Sequence, residues 1–338
     1  LEANSFQALA VFLSWFSSAQ AELMRGGNSK LAGRQLLGFL ALCGLGASGW
    51  LVDGAWPSLL PVDARQAIDD LLMALLLGAL GWRSLARGRV WTRAGGKLAL
   101  GSVLLLGVPS TLAETALRGA PEVTVAVMFA LAPVMIAVLL ANFELAGAEA
   151  TGASGLLGPA LAGFAGVLML LPLATPASAR EVGFESVAAL GVLIAAVAGV
   201  WMYGLLREFA VVEAAAVCCA ANALYFLLTF AVAALIPGAA AVPAGEGWSW
   251  SAVGVESLKA VCFNLPQVLI LIWLLRDVTP GRFAARYLVV PLLTVIEGYV
   301  MLWPGWSVRA FGGAALVAFA AWRLLMGARE EEPGLVLR

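Results

Sequence analysis

Ten long apolar runs govern what this chain can become. They lie at about 36–53, 67–85, 98–117, 122–141, 154–173, 186–206, 212–236, 254–275, 286–303 and 307–326. A helix rising 1.5 Å per residue needs roughly 20 apolar residues to cross the hydrocarbon core of a bilayer. The runs are continuously apolar rather than alternating, which excludes membrane-spanning β-strands. Composition agrees, with 62% of the 338 residues hydrophobic and 12% charged. A soluble domain carries about 25% charged residues, and so few ionisable groups could not cover a water-exposed globule of this size. A net charge of −1 offers no basic face, so no nucleic acid is expected as a partner. The expected fold is an all-α polytopic membrane protein with ten transmembrane helices, and the lipid bilayer is its solvent. The second run is the least regular. Twelve residues separate Asp70 from Arg83, so both end charges are expected to snorkel.

The basic residues assign the sides. With the N-terminus inside, fifteen Lys and Arg fall on the inner face, and Arg65, Arg118, Arg180 and Arg309 on the outer. Lys259 lies within a span. Cytoplasmic loops accumulate Lys and Arg, so an even number of spans with both termini cytoplasmic is expected, in a cell inner (plasma) membrane. Residues 1–30 fit this pattern poorly. Phe6, Leu9, Leu13 and Phe16 share a helical face, but the run is too short to span, and it reads as an interfacial or remnant segment. The chain opens on Leu1 rather than Met, which reads as a processed or trimmed start. Residues 329–338 read as a cytoplasmic tail.

The chain has no histidine, which excludes imidazole metal sites, His-dependent triads and imidazole proton relays. Cys43, Cys218, Cys219 and Cys262 all sit in apolar runs and read as small buried hydrophobes. No Walker loop or dinucleotide fingerprint is present, which argues against an ATP-driven pump. No cofactor and no metal are expected.

Proline spacing reveals an internal repeat. Pro109, Pro121 and Pro133 recur as Pro266, Pro280 and Pro291, at offsets of 157, 159 and 158, and Gly155 recurs as Gly312. Proline within a helix removes a backbone hydrogen bond and bends the axis. Helices bent at Pro109, Pro133, Pro266 and Pro291 would therefore occupy matching places in two five-span halves, residues 31–178 and 179–328. Because five is odd, the halves would lie upside down relative to each other, as in many secondary transporters. Gly81, Gly101, Gly107, Gly163, Gly166, Gly312 and Gly313 would let helices approach closely.

The stretch Leu131–Leu140, with Pro133, then Glu144 and Glu149, then Gly155–Leu171, resembles the end of an EamA-type repeat. So does Val290–Gly298, with Pro291 and Glu297, followed by Gly312-Gly313 and Ala314–Leu325. These are repeats of the drug/metabolite transporter superfamily, and the resemblance covers roughly residues 33–327. Asn142-Phe143-Glu144 and Trp303-Pro304-Gly305 stand where the family's acidic turns are expected. The resemblance implies a two-repeat metabolite carrier, often an exporter of amino acids or related solutes.

Polar groups at depth are the candidate site, because an ionisable side chain in hydrocarbon faces a cavity or a partner. Glu297 lies eleven residues past Arg286, about 16 Å deep at the helical rise. It is the first candidate to line a central cavity and bind an ammonium group or a proton, protons being the expected coupling ion; a structural carboxyl bonding a neighbouring helix is the alternative. Asn264, Asn222, Gln267 and Tyr225 lie near the same level, each able to bond either a solute or another helix. Lys259 and Glu114 lie closer to the outer interface. Lys259 and Glu256, three apart on one face, would form a substrate clamp or a local ion pair. The expected function is secondary active transport of a small polar or amphipathic, amino-acid-like solute by alternating access, as a monomer or homodimer and not as an enzyme. A membrane-embedded enzyme of lipid modification and a non-transporting scaffold or sensor are the competing classes.

Overall fold

A computed structural model describes residues 33–58, 60–86, 89–145, 154–171, 176, 178–235, 249–302 and 307–326. The 1–30 segment, the 329–338 tail and the turns at Glu149 and 303–305 lie outside the described residues. Within them all regular structure is helical. The main rods are α1 (Gly33–Ala55), α2 (Val62–Leu80), α3 (Arg93–Leu117), α4 (Glu122–Asn142), α5 (Ser154–Leu170), α6 (Ala179–Leu206), α7 (Val211–Leu235), α8 (Trp250–Asp277), α9 (Pro280–Leu302) and α10 (Val308–Met326). Eight of them are long and apolar enough to cross a membrane. The other two are α2, which carries Asp63, Arg65, Asp69 and Asp70, and α5, with 17 residues. The protein is a multi-pass α-helical membrane protein.

Side-chain caps fix several helix starts. Ser178 Oγ accepts from the Glu181 amide at 3.2 Å, so α6 begins seven residues before its apolar run. Ser249 Oγ accepts from the Ala252 amide at 3.1 Å and opens α8. These hydroxyls satisfy amides that have no partner within the helix. Glu213 does the same for α7, accepting from the Ala210 amide at 3.2 Å. α2 begins after Pro61, five residues earlier than its apolar run suggests. Asp70 therefore sits in the third turn of a helix rather than at its end. Asp70 does not snorkel but lies against Cys219 of α7, next to the buried Asp69, whereas Arg83 is exposed.

The prolines act in three ways. α3 widens into a π turn at Val103–Gly107 just before Pro109, and α8 does so at Ala260–Asn264 just before Pro266. A proline ring clashes with the carbonyl four residues back. For Pro109 that residue is Leu105 and for Pro266 it is Cys262, and both fall inside the π turn. The wider turn absorbs the clash without ending the helix. α4 instead breaks between Phe129 and Ala132, and Phe129 stands four residues before Pro133. Pro291, expected to bend α9, lies inside a helix that runs unbroken from Arg286 to Leu302.

Packing between distant helices follows a recurring pattern. α1 packs on α8 and α9, α6 packs on α3 and α4, α2 pairs with α7, and α5 pairs with α10. The α5–α10 crossing brings backbones together: a Cβ on Gly313 would stand 2.9 Å from the Gly166 carbonyl oxygen. One continuous core of Phe39, Leu77, Leu98, Met202, Leu274 and Leu324 runs through the bundle.

Candidate functional site

The two π turns position the polar side chains. Each turn ends at an equivalent place, Gly107 in α3 and Asn264 in α8, 157 residues apart. At the first turn the missing side chain leaves room. A Cβ on Gly107 would meet the Tyr225 ring at 2.8 Å and Asn222 Oδ1 at 3.2 Å. Two residues of α7 thus reach across α3. Asn222 Nδ2 donates to Ser102 Oγ at 3.0 Å, and Tyr225 Oη donates to Thr111 Oγ1 at 3.1 Å. Asn222 is buried, and its Oδ1 has no hydrogen-bond partner among the described residues.

At the second turn the side chain is present and recruits a carboxyl. Asn264 Nδ2 donates to Asp69 Oδ2 at 3.0 Å. Around this pair α1, α2 and α8 assemble a charged cluster. Lys259 Nζ lies 3.1 Å from Asp53 Oδ1 and 3.9 Å from Glu256 Oε2. Arg65 lies 3.8 Å from Asp53 and 3.9 Å from Glu256. Arg65, Lys259 and Glu256 all act electrostatically on Asp69. The cluster is graded in exposure. Asp53 is 55% exposed, while Glu256 is 2% and Lys259 6% exposed.

The structure therefore places Lys259 and Asn264 in one cluster, and Asn222 and Tyr225 in another. Lys259 is held by acids from two helices, α1 and α8. Glu297 belongs to neither group. It is half-buried at the α1–α9 contact, where its Oε2 accepts from Trp50 Nε1 at 3.2 Å. Gln267 sits where α8 meets α1, its amide nitrogen 3.9 Å from the Cβ position of Gly46. Glu114 is half-buried on α3. Sequence reasoning missed Asp53, Arg65, Asp69, Ser102, Thr111 and Trp50. The signal was present for Asp69 alone, as an acidic pair embedded in an apolar stretch.

Neither of two voids in the fold reaches the charged cluster. One, of about 10 Å³, lies among Leu105, Ile136, Gly199, Leu275 and Tyr287, enough for about one water. The other is an open lateral cleft of about 330 Å³ lined by Arg34, Val211, Leu269, Ile270 and Trp273. Arg34 stands over the Trp273 ring, 6.0 Å from its centroid. Among the described residues no group of acids and cysteines is arranged to hold a metal ion.

No protein-family model matches the chain, and no curated protein matches it. A solved structure described only as "Crystal structure of protein" superposes with a TM-score of 0.63 at 20% identity, over 88% of this chain and 99% of its own. Likeness at that identity establishes a shared fold and nothing further.

Proposed function

We propose that the protein is a secondary transporter of a small polar or amphipathic, amino-acid-like solute, working by alternating access. In this reading α2 and α5 also cross the membrane, giving ten spans in two inverted five-helix repeats of the drug/metabolite transporter kind. The chain sits in a cell inner membrane with both termini cytoplasmic, and export is the direction the resemblance favours. One observation carries the reading. The third helix of each half is interrupted by a π turn and a proline at the same offset, and each interruption holds a polar group contributed by a second helix. Reciprocal packing of α1 on α8 and α9, and of α6 on α3 and α4, supports it. Such an arrangement lets one half rock against the other about a polar centre.

The widened turns have the geometry of hinges, because a π turn already lacks the regular ladder that stiffens an α-helix. Few cations lie at depth, and the two that do, Arg65 and Lys259, are already paired with acids. That suits a zwitterion better than a polyanion, which would need several unpaired Arg or Lys residues.

The test is flux. Purified protein in proteoliposomes, preloaded with a labelled amino-acid mixture, is expected to exchange at least one amino acid faster than protein-free vesicles. Equal rates for every component, with the protein shown to be folded and inserted, would overturn the reading.

A further inference from the structure

We propose that Asp69 is a proton-binding carboxyl that couples a proton to the work of this protein. The charge balance is the first reason. The cluster at α1, α2 and α8 joins two cations, Arg65 and Lys259, to three carboxyls, Asp53, Glu256 and Asp69. It is one positive charge short of neutral. Asp53, 55% exposed, keeps contact with solvent while drawing on both cations, so the shortfall falls on the enclosed carboxyls, whose charge is costly away from water.

Position says where that unit goes. Asp69 is 8% exposed, and its Oδ2 is occupied by the Asn264 amide. Its Oδ1 is fully enclosed and has no hydrogen-bond partner among the described residues. Glu256 Oε2 in the same cluster is also enclosed and lacks a hydrogen bond. Asp53, by contrast, is open to its surroundings and already faces both cations.

Size says what it is. Asp69 Oδ1 exposes less than 1 Å², and neither void described above reaches it. An alkali ion or a solute ammonium group needs room and several oxygen ligands. A proton needs neither. Uptake forms one O–H bond at Asp69 Oδ1 and converts the carboxylate to the neutral acid, the proton coming from water. Release returns it to water when the cluster opens. The groups that set the balance are Arg65 on the same helix, Glu256 and Lys259 on α8 and Asp53 on α1; the neighbouring Asp70 turns to Cys219 of α7 and stands outside this cluster.

The role in coupling rests on the transport reading; the binding of the proton does not, and the experiment separates them. Difference infrared spectra of the whole protein in lipid are recorded through a pH titration in choline chloride. A protonated-carboxyl C=O band is expected to grow on acidification. It should shift when the protein is made with carbon-13-labelled aspartate, vanish in Asp69→Asn, and survive in Asp70→Asn. Asp69→Asn preserves an acceptor for Asn264, and the isotope shift needs no substitution at all. A band that fails to shift with labelled aspartate, or that persists in Asp69→Asn, overturns the proposal. So does loss of the band on adding sodium at constant pH, which would assign the site to an alkali cation. In proteoliposomes carrying an internal pH dye, amino-acid flux through the wild type should move protons, and flux through Asp69→Asn should not. A titrating Asp69 band in a protein with no flux leaves the proton site standing and removes the transporter. Flux without accompanying proton movement in the wild type overturns the coupling role.

Discussion

Removing the ammonium of Lys259 would leave Glu256, 2% exposed, with Arg65 as its remaining ion-pair partner at 3.9 Å. Breaking a buried pair by deleting one member costs about 3–5 kcal/mol, mainly because the other charge stays buried. Lys259→Met is therefore expected to lower the apparent melting temperature in detergent. Adding Glu256→Gln should recover part of that loss, because the stranded carboxylate is gone. A double variant no more stable than the single one would show that the pair is not the structural tie it resembles. A second residue separates helix bonding from solute bonding. Tyr225→Phe deletes a hydrogen bond to Thr111 whose net worth is about 0.5–1.5 kcal/mol. If the bond only joins α3 to α7, stability falls by that amount and flux is retained; loss of flux at unchanged stability would assign the hydroxyl to the solute. Asn264, Asn222 and Lys259 were legible as polar groups within the spans because each interrupts an apolar run. Their partners were not, since Asp69, Ser102 and Asp53 lie 195, 120 and 206 residues away, and only interhelical packing joins them. Asp70 was read as an end charge because the start of α2 was placed by hydropathy, whereas the helix begins after Pro61.

Helix interiors were read closely and helix ends were not, for a physical reason. Hydropathy reports burial in lipid, while ends are set by caps such as Ser178 and Ser249, which lie outside the apolar run. The prolines were legible as perturbations, but their outcome depends on whether the helix can absorb the ring. At Pro109 and Pro266 a π turn does so, at Pro133 the helix breaks, and at Pro291 it continues. The glycines divide similarly. Gly313 and Gly155 both sit in small-residue stretches, but a Cβ on Gly313 meets the Gly166 carbonyl oxygen at 2.9 Å and the Leu170 amide nitrogen at 2.9 Å, whereas one on Gly155 meets nothing within 4 Å. Gly313→Leu should push α10 off α5 and lower stability by about 1–3 kcal/mol or more, the usual range for overpacking. Gly155→Leu should change it by less than about 0.5 kcal/mol. Parallel melting curves check the difference, and equal effects would mean that the α5–α10 crossing is not the close contact drawn here.

At the scale of the molecule, the long apolar runs and the perturbing prolines were legible, and the packing of α1 on α8 and α9 and of α6 on α3 and α4 was not, because partner choice leaves no periodic mark in sequence. The weakest link between pattern and topology is α2, which holds four ionisable residues and yet pairs with α7 along the bundle. Its crossing decides the sidedness of the chain around it. If α2 and α5 cross, Ala86 after α2 and Ser251 at the start of α8 lie on opposite faces. If only the eight more apolar helices cross, both residues lie on the same face. Both positions are exposed, so cysteines placed there should react without unfolding the bundle. In a background with the exposed Cys262 replaced, Ala86→Cys is expected to be blocked by a membrane-impermeant maleimide only in inside-out vesicles, and Ser251→Cys only in right-side-out vesicles. Same-sided labelling would leave eight spans. It would place the Arg83 and Arg93 region outside, against the positive-inside rule, and would remove the odd-numbered halves on which an inverted repeat depends. The duplicated π turns would then need an explanation other than two halves rocking about a shared centre.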